Sequence, residues 1–360
     1  MQRQPSRKAI NETEEIVLPS GKFALPLETG FVEIAPALVG KVSRTRQLLS
    51  WAAGLSGFLV LIVAVLHYGS PERIIELARS AHPAWLLLAI LVQAATYICA
   101  ALVWRQALHY AGHPRPLRTL VPLGIAKLFT DQVLPSGGIS GTMLVVRGLI
   151  RRRVPAEAAM AAMLVSLVSH SIAYLIVVLV SAGILGLHHR INLPLFIGVA
   201  VFVVITTAIP AAVFGLKRWG HRPPIPWLSK LLGMTALLQA LARAPTNLLR
   251  DPGLLIQTTG LQLGIFMLDS LTLWIAFNSI GNVPEIWVVF VSFIVASMIT
   301  TIGPIPVGLG AFEASSVGML HFLGVSLEVA LAGTLLLRAM TFWFPMIPGI
   351  WLVRREIGHP

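Results

Sequence analysis

Long apolar runs, separated by short basic, acidic or proline- and glycine-marked breaks, set the pattern of this chain. Runs of roughly 20 residues or more are long enough to cross the hydrocarbon of a bilayer as helices. The pattern predicts full spans at about 48–67, 85–108, 156–187, 193–216, 253–280 and 327–353. Two further apolar stretches are each cut in the middle. In the first, short segments at 119–134 and 136–150 flank Pro135-Ser-Gly-Gly. In the second, 286–302 and 314–322 flank Gly303 to Glu313, which reads GPIPVGLGAFE. A helix of 15 residues spans only about 23 Å, short of a core of about 30 Å. Each cut stretch therefore reads as a hairpin of two short helices or as two thin crossings. The predicted fold is an all-α polytopic membrane protein with about six full spans and two Pro/Gly-broken short-helix hairpins.

The two broken elements align without a gap at a shift of 171 residues. Pro135 falls on Pro306, Gly137 on Gly308, Val146 on Val317, Leu149 on Leu320, Val154 on Val325 and Glu157 on Glu328. The first half then covers about 119–187 and the second about 286–353. Three full spans separate Glu157 from Glu328, so the copies are expected to point in opposite directions. Paired, interrupted apolar segments in two inverted halves are a sequence signature of a transporter site near the midplane.

Charge sets the orientation. Of the 27 Lys and Arg, 22 fall on one side of the predicted topology, three (Arg73, Arg79 and Arg190) on the other, and Lys127 and Arg338 lie between. Positive charge gathers on the cytoplasmic side. The N- and C-termini are thus expected in the cytoplasm of a cell (inner) membrane protein. Residues 1–47 read as a basic, disordered cytoplasmic tail, 48–355 as the membrane domain, and 217–252 as a basic cytoplasmic loop holding an interfacial helix at Trp227–Leu249. Composition agrees: 56% of the 360 residues are hydrophobic and 12% charged, against about a quarter charged in soluble domains. The net charge of +12 points to anionic lipid rather than nucleic acid. One cysteine, Cys99, excludes a disulfide framework and a thiolate metal site. No P-loop, G-x-S-x-G or H-E-x-x-H pattern appears, so neither an enzyme nor a cofactor-binding protein is expected.

Ionisable groups at membrane depth are the candidate chemistry. Lys127 and Asp131 are four apart and share a helix face. They read either as a self-satisfied anchor or as an anion-holding lysine with a switchable partner. Arg147 reads as the start of a basic interfacial cluster or as a headgroup contact. Arg338 sits eleven positions into the last span, and Glu313 is its expected partner. The pair is either structural or a clamp in which substrate phosphate competes for the arginine fork. Gly137, Gly138, Gly308 and Gly310 stand beside short-helix N-termini, either to expose amides to an anion or to allow close packing. Asp269 and His170 read either as satisfied, bundle-facing polar residues or as members of a proton relay.

PSGGISGTMLVVRGL, PIPVGLGAFE and LLLRAMTFWFPMIPG together resemble the lysylphosphatidylglycerol synthase transmembrane domain family, also called flippase-like domain proteins. The likeness covers about 48–355 and carries over Pro135, Gly137, Gly138, Pro306, Gly308, Gly310, Glu313 and Arg338. Val307 departs from a usual glycine, and Asp131 from a common asparagine. In full-length members the resemblance implies a flippase module fused to a cytoplasmic aminoacyl-tRNA-dependent transferase. This sequence has no counterpart of that transferase and is expected to be a stand-alone flippase-like unit. The expected function is movement of a phospholipid or polyprenyl-linked lipid between leaflets through a polar cleft, with anionic or phosphate-bearing headgroups as partners. The main alternative is a non-catalytic membrane partner of a separate lipid synthase or glycosyltransferase. A lipid-modifying membrane enzyme and a small-solute transporter are the remaining rivals.

Overall fold

The computed structural model describes residues 72, 76, 77, 79, 81–133, 138–218, 247–302 and 310–358. The predicted tail, the span at 48–67, Gly137, Gly308 and most of the 217–252 loop lie outside the described residues. All regular structure among the described residues is helical. In order, α1 is Pro83–Tyr110, α2 Leu117–Val133, α3 Ile139–Arg151, α4 Ala156–Leu187 and α5 Leu193–Arg218. A single turn at Asn247–Arg250 leads into α6, Pro252–Ser279. Then come α7 Ile286–Ile302, α8 Ala311–Phe322, α9 Leu327–Arg338, a π-helical turn Ala339–Trp343, and α10 Phe344–Gly358. Among the described residues, four helical stretches are long and apolar enough to cross a membrane: α1, α4, α6 and the run Leu327–Glu356. Leu193–Ala208 and Ile286–Thr301 are shorter apolar helices.

Local chemistry sets the boundaries. Pro83 opens α1 and Pro252 opens α6, where a missing N–H costs nothing. Asp251 caps α6 by accepting from Leu254 N at 2.9 Å. Glu157 and Glu328 sit in the first turns of α4 and α9, where a carboxylate meets the positive end of the helix. The predicted span 327–353 is not one regular helix. Pro345 and Pro348 offer no N–H to the preceding turn, and the chain widens into the π turn just before them. Such bulges often accompany functional positions, and Arg338 is the residue that precedes this one.

Some backbone features recur at positions 171 residues apart, and the same left-handed end also closes α1, α4 and α6. Arg153 (φ 60°) and Gly324 (φ 98°) both take the left-handed conformation after a short helix. Val154 N donates to Leu149 O, and Val325 N donates to Leu320 O. Ala159 N donates to Pro155 O, and Ala330 N to Ser326 O. The packing repeats as well: α2 against α3 and α10 corresponds to α7 against α8 and α4. α1 and α6 pack along their lengths and run antiparallel. His82 N donates to Ser279 O at 2.8 Å near one end, and Tyr110 lies beside Gly253 at the other.

Two of the four hydrophobic clusters among the described residues gather around the hairpins. Leu108, Leu120, Leu123, Val146, Leu149 and Leu164 build the first; Phe277, Ile294, Val317, Leu320 and Leu337 build the second. Lipid gives no hydrophobic drive for helix to meet helix, so small residues set the approach. At Gly333 an added Cβ would stand 2.6 Å from Phe277 Cζ, and at Gly349 it would stand 2.6 Å from Phe129 Cβ. Leu193, Phe196 and Val204 of α5 turn outward and remain exposed, as a lipid-facing surface would.

Candidate functional site: a charged cavity between the hairpins

The first hairpin places one cation. Lys127 Nζ reaches Asp131 Oδ2 at 2.5 Å. Asp131 Oδ1 accepts the Gly141 amide, at the start of α3, at 2.9 Å. One carboxylate thus joins the two arms of the hairpin and holds the lysine. Gly141 is required by this geometry: an added Cβ would lie 2.6 Å from Asp131 Cγ and 2.7 Å from Lys127 Cγ.

The second hairpin places the other. Arg338 Nε donates to Glu313 Oε1 at 2.7 Å, so the partnership expected from the sequence is present. Glu313 Oε2 accepts the Gly310 N–H at 2.7 Å, closing the first turn of α8 as the carboxylate half of a capping box. The Glu313 side chain is 2% exposed, and that of Arg338 15%. The guanidinium also lies over the Phe312 ring, 4.4 Å from its centroid, a cation–π contact.

Both cations face a cavity of about 600 Å³, walled by α1, α2, α4, α6, α7 and the α9–π junction, with Thr142 of α3 and Phe312 of α8. Asp131 and Glu313 are not among its lining residues; they stand behind the cations and orient them. The cavity also holds Gln93, His170, Gln262 and Asp269. Gln93 Nε2 donates to Asp269 Oδ1 at 3.2 Å. His170 Nδ1 meets Gln262 Oε1 at 3.3 Å, and its ring stacks on Phe266. Hydroxyls of Ser166, Ser297, Thr300 and Thr301 complete a polar lining on otherwise apolar helices. The arrangement suits a phosphate-bearing headgroup, with arginine and lysine for the anion and hydroxyls for its polar remainder.

Not every predicted residue arrives here. Arg147 is exposed on α3 and is not part of the lining, because eight residues of helix after Ile139 carry it away from the hairpin tip. Gly138 (φ 84°) starts α3, and its carbonyl accepts from Thr142 Oγ1 at 2.8 Å; it does not line the cavity. The Gly310 amide is engaged by Glu313, and the Gly141 amide by Asp131, so these two donors serve the protein's own carboxylates rather than an anion. The sequence reading left Asp269 and His170 as either internally satisfied or part of a proton relay, and it passed over Gln93, Gln262 and Gly141. The signal was present as polar spacing: Gln93 and Tyr97, Ser166 and His170, and Gln262 and Asp269 each recur one or two turns apart on an apolar helix.

Over residues 49–349 the chain matches the model of the lysylphosphatidylglycerol synthase TM region family. That stretch contains both hairpins and Arg338, and the chain belongs to this family, a lipid-related integral membrane domain. No curated protein matches the chain.

Proposed function

We propose that this member of the lysylphosphatidylglycerol synthase TM region family moves a phosphate-bearing lipid, either a phospholipid or a polyprenyl-linked lipid, between membrane leaflets. The observation that carries the reading is the cavity, to which the first half contributes Lys127 and the second Arg338. A charged group at the bilayer centre costs several kcal/mol. A cation-lined cavity at that depth lowers this cost for a headgroup while its chains remain in lipid. The reading involves transport without bond-making.

The antiparallel crossing of α1 and α6, with the 171-residue recurrence on either side, supports an inverted repeat with its pseudo-twofold axis near the cavity. Six full spans and two hairpins follow, with both termini cytoplasmic in the cell membrane. Rocking one half against the other would open the cavity to each leaflet in turn.

The test is leaflet exchange of fluorescent anionic and zwitterionic phospholipids in proteoliposomes, comparing wild type with Lys127→Ala and Arg338→Ala. Selective exchange that falls at least tenfold in both variants supports the reading. A folded protein that exchanges no lipid class points instead to the membrane-partner alternative.

A further inference from the structure

Three carboxylates stand near the cavity, and they are not alike. Asp131 accepts from a lysine and a backbone amide. Glu313 accepts from an arginine and a backbone amide. Asp269 alone lines the cavity itself, and among the described residues its one hydrogen bond comes from a neutral side-chain amide, Gln93 Nε2. The surroundings are incomplete in a specific way. Gln93, itself 5% exposed, leaves its buried Oε1 without a donor, and the buried Tyr97 hydroxyl beside it completes no hydrogen bond. Buried polar atoms without partners are uncommon and costly.

One proton on Asp269 supplies the donor that Gln93 Oε1 lacks. With Asp269 ionised, Gln93 presents Nε2 to it, and in this geometry Oε1 has no donor. With Asp269 protonated, its O–H donates to Oε1 once the amide rotates; Nε2 gives up its present bond to Thr96 Oγ1 of 3.1 Å and is freed for the Tyr97 oxygen. We propose that Asp269, with Gln93 and Tyr97, is a proton-binding site that loads one proton together with an anionic lipid headgroup. The proposal rests on the lipid reading above and names its coupling ion.

The charges around the site give the direction. Lys127 of α2 and Arg338 at the α9 end bring positive charge to the cavity, and each is already matched by its own carboxylate. His170 of α4 faces the same space, while the lining residues of α7 contribute hydroxyls and Phe293 rather than charge. An anionic headgroup entering between the cations therefore meets the Asp269 anion as its one uncompensated like charge. Protonation removes that repulsion. The headgroup and the proton consequently favour each other's binding, and by linkage the coupling is reciprocal. The site also stands where α1 crosses α6, the helices that lead into the two hairpins, so its state bears on the interface that the rocking motion would shear.

The test uses the full-length protein in detergent at low buffer strength. Short-chain phosphatidylglycerol is added, proton uptake is followed with an indicator dye, and binding is followed by calorimetry. Wild type is expected to take up close to one proton per lipid bound, with affinity rising as pH falls toward the limit of about tenfold per pH unit for one linked proton. Asp269→Asn is expected to bind with an affinity that no longer changes with pH and without uptake. Infrared spectra provide a second readout, independent of lipid: a protonated carboxyl band that titrates in wild type and is missing in Asp269→Asn. Lipid binding with no proton uptake, equal uptake in Asp269→Asn, or replacement of the proton by sodium would overturn the proton site and leave the lipid reading standing. A protein that binds no phospholipid overturns the lipid reading, and the infrared band then decides the proton site alone.

Discussion

The Glu313–Arg338 pair offers a prediction whose size follows from the geometry. Glu313 is almost fully enclosed, and its two oxygens are each committed, one to Arg338 Nε and one to the Gly310 amide. Replacing Arg338 with methionine leaves that carboxylate buried with one neutral donor. Removing one partner of a buried pair costs about 3–5 kcal/mol. Arg338 borders the cavity and keeps 15% of its side chain exposed, so the lower end, about 3 kcal/mol, is expected. Glu313→Gln keeps the shape but loses the charge and turns an N–H₂ toward either the guanidinium or the Gly310 N–H, at a similar cost. The double variant Glu313→Gln, Arg338→Met leaves no buried charge and should cost less than the sum, by about 2 kcal/mol or more of coupling. Reversible unfolding in mixed micelles on titration with SDS, followed by circular dichroism, measures all four corners of the cycle. Single variants within about 0.5 kcal/mol of wild type, or strictly additive costs, would refute the claim that this pair fastens α8 to the end of α9.

Three further outcomes follow from the same reasoning. Gly141→Ala drives a methyl into Asp131 and Lys127, with an expected loss of about 1–3 kcal/mol, whereas Gly318→Ala, which meets nothing within 4 Å, should be neutral or slightly stabilising in the same titration. Arg152 and Glu356 form a two-bond pair of 2.6 and 3.0 Å that is partly exposed on the arginine side; Glu356→Gln should cost under about 1 kcal/mol, and that cost should shrink in high salt. Arg147→Ala, on the exposed face of α3, should leave lipid exchange within about twofold of wild type, and a loss comparable to that of Arg338→Ala would place the headgroup path on the wrong side of the hairpin.

Much of this architecture was legible because membrane helices announce themselves by length and apolarity. The boundaries of α1, α4, α5 and α6 fall close to the apolar runs, and the hairpin arms α2, α3, α7 and α8 fall on either side of the broken stretches. Pairing Glu313 with Arg338 was readable because a cation at membrane depth demands a partner, and both residues flank features unusual for a span. The π turn was less readable: Pro345 and Pro348 signal a disturbance, but whether the helix kinks, stops or widens depends on what packs against it. Asp269 and His170 each stand alone on an apolar stretch, and a lone polar residue there gives no sign of facing a cavity rather than a neighbour. Their meaning emerges only when α1, α4 and α6 meet. The Asp131 bond to the Gly141 amide was likewise invisible, since it spans the break that the sequence marks only as flexible chemistry.

The central claim is that the headgroup passes through the cavity between Lys127 and Arg338. Ala100 lines that cavity, while the chain's single cysteine, Cys99, stands next to it outside the lining. The direct measurement is phospholipid exchange in proteoliposomes by Ala100→Cys in a Cys99→Ala background, before and after labelling with a bulky maleimide. Wild type labelled at Cys99 serves as the neighbouring control. The account predicts that labelling at position 100 reduces exchange at least tenfold while labelling at position 99 leaves it within about twofold. Undiminished exchange with position 100 fully labelled would contradict it and place the lipid path elsewhere on the protein.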